Sequence, residues 1–514
     1  MRGERSKIIL VSFYFRTEAK DAKGVNLLIR FYLQILFSIF PPLMVDAILN
    51  VFYKPSKFKK QGDVKDVLVV ALPMLLAMSF DTFMTFIDRL FLSKLGPAEM
   101  NAALGAGAVQ LALTMFFTGA ISYTTAMVAQ RLGAKKKWDC ARVFMQSVYL
   151  SLISVPLLYL TIPLGHFAFG LEHLPADQLE YQTTYFNILM FGGIINLLRN
   201  AAPCFFSGIG ETKIVMKAAF VGMLVNVICN FVLIYGCGPI PALGVAGAAY
   251  GTLIGNVVST VILFAKFFGK SCHRRFRTRF AFTFSWPLTR ELLQKGIPSG
   301  VEMFLNMAAF QSLILMFHAL GPESATASSI MFNWDLVAYV PLMGLEVAST
   351  SLVGRYVGAK NAAAATRSTY SGLKLGWGYS LVMGIFFIFL PGVLTDIFKP
   401  DVAEASAEAL AIFNAARPMS MFMLRIATFY IFVEVLLVIY AGALRGAGDT
   451  VWVMFACGIM NWFVAIALYI VAYVFHLPAH YAWIVVVAVY STAPLIFWHR
   501  WKSGKWRKHV MNAL

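Results

Sequence analysis

The stretch SGIGET occupies residues 207–212, and RGAGDT occupies residues 445–450. Both are Gly-x-Gly-acid-Thr punctuation set between long apolar runs. Their glycines permit a tight reversal with positive φ, and the acid–Thr pair is suited to cap the helix that follows. Working outward, residues 71–135 align without a gap on 296–360, an offset of 225. Pro73 falls on Pro298, LGP (95–97) on LGP (320–322), Gly119 on Gly344, and GAK (133–135) on GAK (358–360). The two turns themselves align at an offset of 238, so the second copy holds 13 extra residues between these landmarks. The chain is therefore read as two copies of one unit.

Composition says what the unit is made of. Of the 514 residues, 59% are hydrophobic and only 13% charged, and the mean hydropathy is +0.71. Soluble domains carry about 25% charged residues. Apolar runs of about 20 residues or more, without strict alternation, read as spanning helices and not as barrel strands. Twelve are expected, near 67–95, 101–131, 140–165, 179–206, 213–235, 243–268, 290–319, 324–355, 363–390, 415–444, 451–475 and 479–500. The expected fold is all-α and polytopic, with two pseudo-symmetric six-helix lobes. Six is even, so the copies run parallel about an axis along the membrane normal and face a central cleft.

The net charge of +18 sorts with topology, not with nucleic acid. RLGAKKKWDCAR, FFGKSCHRRFRTR, GRYVGAKN and the tail HRWKSGKWRKH carry it, while GLEHLPADQLE, LGPESA and FKPDVAEASAE on the other side are neutral or acidic. The positive-inside rule then expects both termini in the cytoplasm of a multi-pass inner or plasma membrane protein. Segments are expected as an N-terminal cytoplasmic or interfacial extension (1–65), a first lobe (66–269), a cytoplasmic linker (270–289), a second lobe (290–500) and a basic tail (501–514). Residues 27–53, with Arg30, Pro41-Pro42 and Asp46, read as an interfacial segment broken at the prolines. Six cysteines show no CxxC or metal spacing. No GxxxxGK[ST], HExxH or GxSxG is present, so neither an ATPase nor a hydrolase is indicated and no cofactor is expected.

Intramembrane ionisable and amide groups are costly in lipid and mark cavities or partners. Asp81 and Asp88 are seven apart in the first span, about 20° apart around the helix, with Arg199 as a candidate counter-charge. Asn226 and Asn230 are four apart, and their amides suit either ligation of a hard cation or interhelical bonding. In the second half, Glu302 and Asn306 are four apart, and Asp335 and Glu346 are eleven apart on one face. Asp335 and Glu346 are also open to pairing with Arg425 or Lys374. Glu434 sits deep in its span, nearly opposite Arg425 around the helix.

At these residues the chain resembles a known family. ALPMLLAMSFDTFMTFIDRLFLSKLG, GVAGAAYGTLIGN, GIPSGVEMFLNMAAFQ and AGALRGAGDT are similar to helix 1, helix 6, helix 7 and the end of helix 10 of the multidrug and toxic compound extrusion (MATE) transporters. The resemblance covers roughly 65–500. It implies a V-shaped cleft and export of organic cations against inward H⁺ or Na⁺. It also implies ion coupling at Asp88, Asn226, Asn230 and Thr252, with Na⁺ as a possible occupant there, and at Glu434. Asn230 stands where many members have Asp, and Asn306 where a helix-7 Glu is common, with Glu302 one turn earlier. Asp81, Glu302, Asn306 and Asp335 are expected along the substrate cleft.

The reading is a secondary active antiporter, a monomer among membrane lipids that takes a small organic cation and no nucleic acid, and is not an enzyme. Two alternatives stand beside it. A lipid-linked oligosaccharide flippase of the same superfamily would line its cleft with Arg and Lys. A non-transporting receptor or scaffold would have no need of mid-membrane acids.

Overall fold

In the computed structural model, which describes residues 61–507 apart from 172–173, 238, 240 and 401–406, the helical periodicity is realised almost throughout. We number the spans α1 (Val64–Ser93), α2 (Pro97–Ser122 and Thr124–Gly133), α3 (Lys137–Tyr159 and Ile162–Leu171), α4 (Ala176–Phe191 and Gly193–Ile209), α5 (Thr212–Tyr235) and α6 (Gly244–Phe268). The second set is α7 (Trp286–Ala319), α8 (Pro322–Gly358), α9 (Ala362–Phe389), α10 (Ala407–Ala447), α11 (Thr450–Tyr469, continued by a π turn at Ile470–Val474) and α12 (Ala479–Tyr490 and Ala493–Lys502). Eleven are long and apolar enough to cross a membrane singly, and the bent pair in α4 makes twelve. The expectations for residues 1–60 and 508–514 lie outside the described residues.

The bend of 52° in α4 falls at Gly192-Gly193. Paired glycines are a usual kink site. Here they also admit Leu253 and Leu158, whose methyl groups would lie 2.3 and 2.4 Å from added Cβ atoms.

The repeat is visible in how the halves meet. A Cβ on Gly119 of α2 would lie 2.8 Å from Gly300 Cα of α7, and a Cβ on Gly344 of α8 would lie 2.9 Å from Leu75 N of α1. At the offset of 225 these are one contact seen twice. The same reciprocity holds at the helix ends, where Gly133 would clash with Arg355 O at 1.9 Å and Gly358 with Gln130 O at 2.0 Å. Glycine at these crossings lets backbones approach more closely than any side chain would allow. The hydrogen bonds that join the lobes gather at this same end, the one bearing the basic loops. Gln130 Nε2 donates to Gly446 O (2.7 Å), Ser351 Oγ to Ser207 O (2.6 Å) and Tyr356 Oη to Asp66 (3.2 Å), and Arg131 pairs with Glu291.

The two punctuating turns reverse as expected, with Gly210 at φ +79° and Gly448 at φ +92°. The expected acid cap is corrected. Neither Glu211 nor Asp449 makes a side-chain cap. Each carboxylate instead takes an arginine from the end of its own half: Arg275 to Glu211 (2.6 Å) and Arg500 to Asp449 (2.8 and 3.1 Å). A guanidinium fork satisfies a carboxylate better than one backbone N–H does, and it ties the turn to a distant segment.

Candidate functional site: buried carboxylates in both lobes

In the first lobe, α1, α5 and α6 bring four polar side chains together. Asp88 is 5% exposed, and Asn226 and Asn230 are fully buried. Asn230 Nδ2 donates to Asp88 Oδ1, and Thr252 Oγ1 donates to Asp88 Oδ2 at 2.9 Å. Asn226 stands behind them, 3.4 Å from Thr252 Oγ1 through its nitrogen and 3.4 Å from Asn230 Nδ2 through its oxygen. The i, i+4 spacing of the asparagines puts both amides on the face that meets α6, and Gly251 leaves room there. A Cβ on it would lie 1.9 Å from Asn230 Oδ1. That oxygen is buried and has no hydrogen-bond partner. The carboxylate is thus held by donors, with an unengaged amide oxygen beside it.

Asp81, two turns nearer the basic side on the same face, is apart from this cluster. It pairs with Arg199 of α4 and is half-exposed.

The second lobe is built differently. Parallel helices α8 and α10 carry two rungs, Asp335 with Glu434 and Glu346 with Arg445, each separated by 99 residues in sequence. The rungs are eleven residues apart, about 16 Å along the axis. The first rung is acid facing acid. Asp335 lies within electrostatic reach of Glu434, and both are buried. Tyr430 Oη donates to Glu434 Oε1 (3.1 Å), whereas Glu434 Oε2 and Asp335 Oδ1 have no partner. The second rung is neutralised. Arg445 Nη2 lies 2.5 Å from Glu346 and 3.4 Å from Glu302 of α7. The counter-charge of Glu346 is therefore Arg445, not Arg425 or Lys374. Asn306 accepts a bond from Asn461 Nδ2 of α11 (2.6 Å).

Arg445 escaped the sequence reading because it belongs to RGAGDT, a stretch explained as a turn. The signal was present: Arg445 is eleven residues after Glu434, as Glu346 is eleven after Asp335. Asn461 and Tyr430 carried no comparable signal.

A two-lobed bundle of twelve apolar helices with acids buried inside each lobe is the plan of a polytopic membrane transporter. The sequence profile of the MatE family matches residues 73–232 and 298–471, and the chain belongs to that family. The chain is 26% identical over 404 residues to the probable multidrug resistance protein NorM of Pasteurella multocida, covering 78% of this chain and 84% of that protein. It is 24% identical over 399 residues to the multidrug resistance protein PmpM of Pseudomonas aeruginosa, covering 76% and 80%. A solved structure of a MATE protein in complex with MaL6 superposes with a TM-score of 0.78 at 22% identity, covering 87% of this chain and 98% of that one.

Proposed function

We propose that the chain is a secondary active antiporter that exports organic cations or drugs in exchange for H⁺ or Na⁺. The carrying observation is Asp88, a single carboxylate caged by Asn230 and Thr252 in the first lobe. The donors hold the carboxylate in a fixed place beside the unengaged Asn230 oxygen, where a proton or a cation can meet it. Turning the Asn230 amide over would replace its donor by an oxygen. Asp88, Asn230, Asn226 and Thr252 would then offer the all-oxygen environment that a hard cation such as Na⁺ takes. A proton needs only the carboxylate. Both lobes meet at the basic end through the reciprocal glycine contacts, so binding at Asp88 acts by favouring one of two lobe arrangements.

Glu434 and Asp335 form the second charged centre. Two acids with unengaged oxygens attract a proton, a metal cation or the cationic substrate itself. We take the protein as a monomer of the inner or plasma membrane with both termini cytoplasmic, handling neither nucleic acid nor a resident cofactor. Of the two cations a flippase would offer pyrophosphate, Arg199 and Arg425, Arg199 already holds a carboxylate, which weakens that reading.

The test is efflux of a fluorescent organic cation from cells expressing the chain, with the proton and sodium gradients collapsed separately. Efflux that stops with one gradient names the ion. Efflux indifferent to both gradients would sink the antiporter reading.

A further inference from the structure

At the basic end of the second lobe, the start of α11 and the end of α12 line an open cavity of about 430 Å³. Its chemistry is graded along α12, which runs toward the basic side. Leu495 and Ile496 form its apolar part and are exposed. His499 and Arg500 follow one turn later, Trp452 of α11 forms a wall, and Lys505 closes the outer end. From 495 to 502 the helix rises about 10 Å. The hydrocarbon-to-headgroup transition of a bilayer leaflet is of similar depth, roughly 5–8 Å. An apolar floor and a cationic mouth over that distance match a lipid standing upright, not a soluble ligand.

Two of the cationic groups at the mouth are not already used. Arg500 is committed to Asp449 and stacks on Trp452 at 5.2 Å. Lys502 and Arg507 lie over Trp498 and Trp506, at 4.7 and 5.5 Å. The His499 ring and the Lys505 ammonium have no hydrogen-bond or ion-pair partner among the described residues. Residues 493–514 contain no Asp or Glu to supply one. At the corresponding turn of the first lobe, Arg275 of the linker helix Lys270–Phe276 pairs with Glu211, and Cys272 and Phe276 of that helix are buried.

We propose that this cavity binds an anionic phospholipid of the leaflet on the basic side, its phosphodiester at Lys505 and His499 and an acyl chain along Leu495 and Ile496. Basic pockets beside spanning helices take such headgroups by charge, with the hydrocarbon supplying depth. Native mass spectrometry of the full chain, titrated with phosphatidylglycerol, phosphatidylcholine or soluble glycerol phosphate, tests it. Wild type should retain phosphatidylglycerol in preference to phosphatidylcholine, and glycerol phosphate should bind far more weakly. Lys505→Gln should weaken phosphatidylglycerol about fivefold and Lys505→Glu about thirtyfold, while Lys505→Arg retains it. Leu495→Asp should weaken it through the acyl end. Equal affinity of wild type and Lys505→Glu for phosphatidylglycerol would overturn the site. So would equal retention of phosphatidylcholine, or glycerol phosphate binding as tightly as the lipid.

Discussion

Asp88 in the first lobe corresponds, at the offset of 225, to Leu313 in the second, and Asn226 and Asn230 correspond, at 238, to Val464 and Leu468. Where the first lobe has its polar cage, the second has apolar core: Val464 and Leu468 are buried in it, with Leu313 packed against it. The reverse holds for the acid rung. Asp335 corresponds to Gln110, and Glu434 to Asn196, which accepts a bond from Asn256 Nδ2 at 3.0 Å. One backbone plan thus carries charge at two non-equivalent places. The first lobe surrounds one acid with donors. The second sets two acids together and leaves an oxygen of each unengaged. Donors meet part of the cost of burying a carboxylate, whereas an oxygen without them stays costly until a proton or cation arrives.

The largest expected effect is at the first of these. Asp88→Asn keeps the shape and removes the charge, so gradient-driven efflux should fall to background while the protein still reaches the membrane. Normal efflux by that variant would remove the first lobe from the mechanism.

Next is the neutralised rung. Arg445→Ala strands Glu302 and Glu346, which are 1% and 12% exposed. Breaking a buried ion pair in this way costs about 3–5 kcal/mol. Thermal unfolding in detergent should show a large loss, and the further changes Glu302→Gln and Glu346→Gln should restore much of it. No restoration would mean that Arg445 acts through packing.

Transplanting the first lobe's amides into the second sharpens the comparison directly. Asp335→Gln with Glu434→Asn replaces acids that each leave an oxygen unengaged by groups that can bond each other, and should stabilise the protein by about 1–2 kcal/mol. If the rung selects charge, cation transport falls while a neutral substrate is spared. If it couples, every substrate is lost and the ion dependence changes. Wild-type transport of all substrates would make the rung structural.

The spans and the repeat were legible in sequence because hydropathy and spacing report them locally. Gly119, Gly133 and Leu75 even carried the lobe interface in their 225-residue partners, Gly344, Gly358 and Gly300. The gathering of Asp88, Asn226, Asn230 and Thr252 entered by resemblance, since spacing alone left Asn226 and Asn230 open between ligand and interhelical glue. Arg199 was legible as the counter-charge of the first span, where it meets Asp81, but the cations that meet the other acids were not. Arg445 and Arg500 reach acids through the packing of three helices, and no periodicity within one helix records that. The caps failed for the same reason: Glu211 and Asp449 have suitable local chemistry, but distant arginines compete for it and win.

The smallest effect is expected at Asp81. Its sequence position, seven residues from Asp88, suggested a second acid facing the cleft. In the structure its carboxylate is engaged by Arg199, with side chains 42% and 23% exposed. A partly exposed pair of this kind contributes about 0–1 kcal/mol, and its net charge is zero. A zero-charge pair attracts a passing cation weakly, so Asp81→Asn should change the KM for a cationic substrate by less than about fivefold. Arg199→Gln separates the possibilities. It frees Asp81, so the KM for cations should fall while that for a neutral substrate stays put. If Asp81→Asn raises the KM by tenfold or more, the pair opens during transport. Asp81 would then act as a transient site, and the lobe difference would extend to how each lobe hides its charge between cycles.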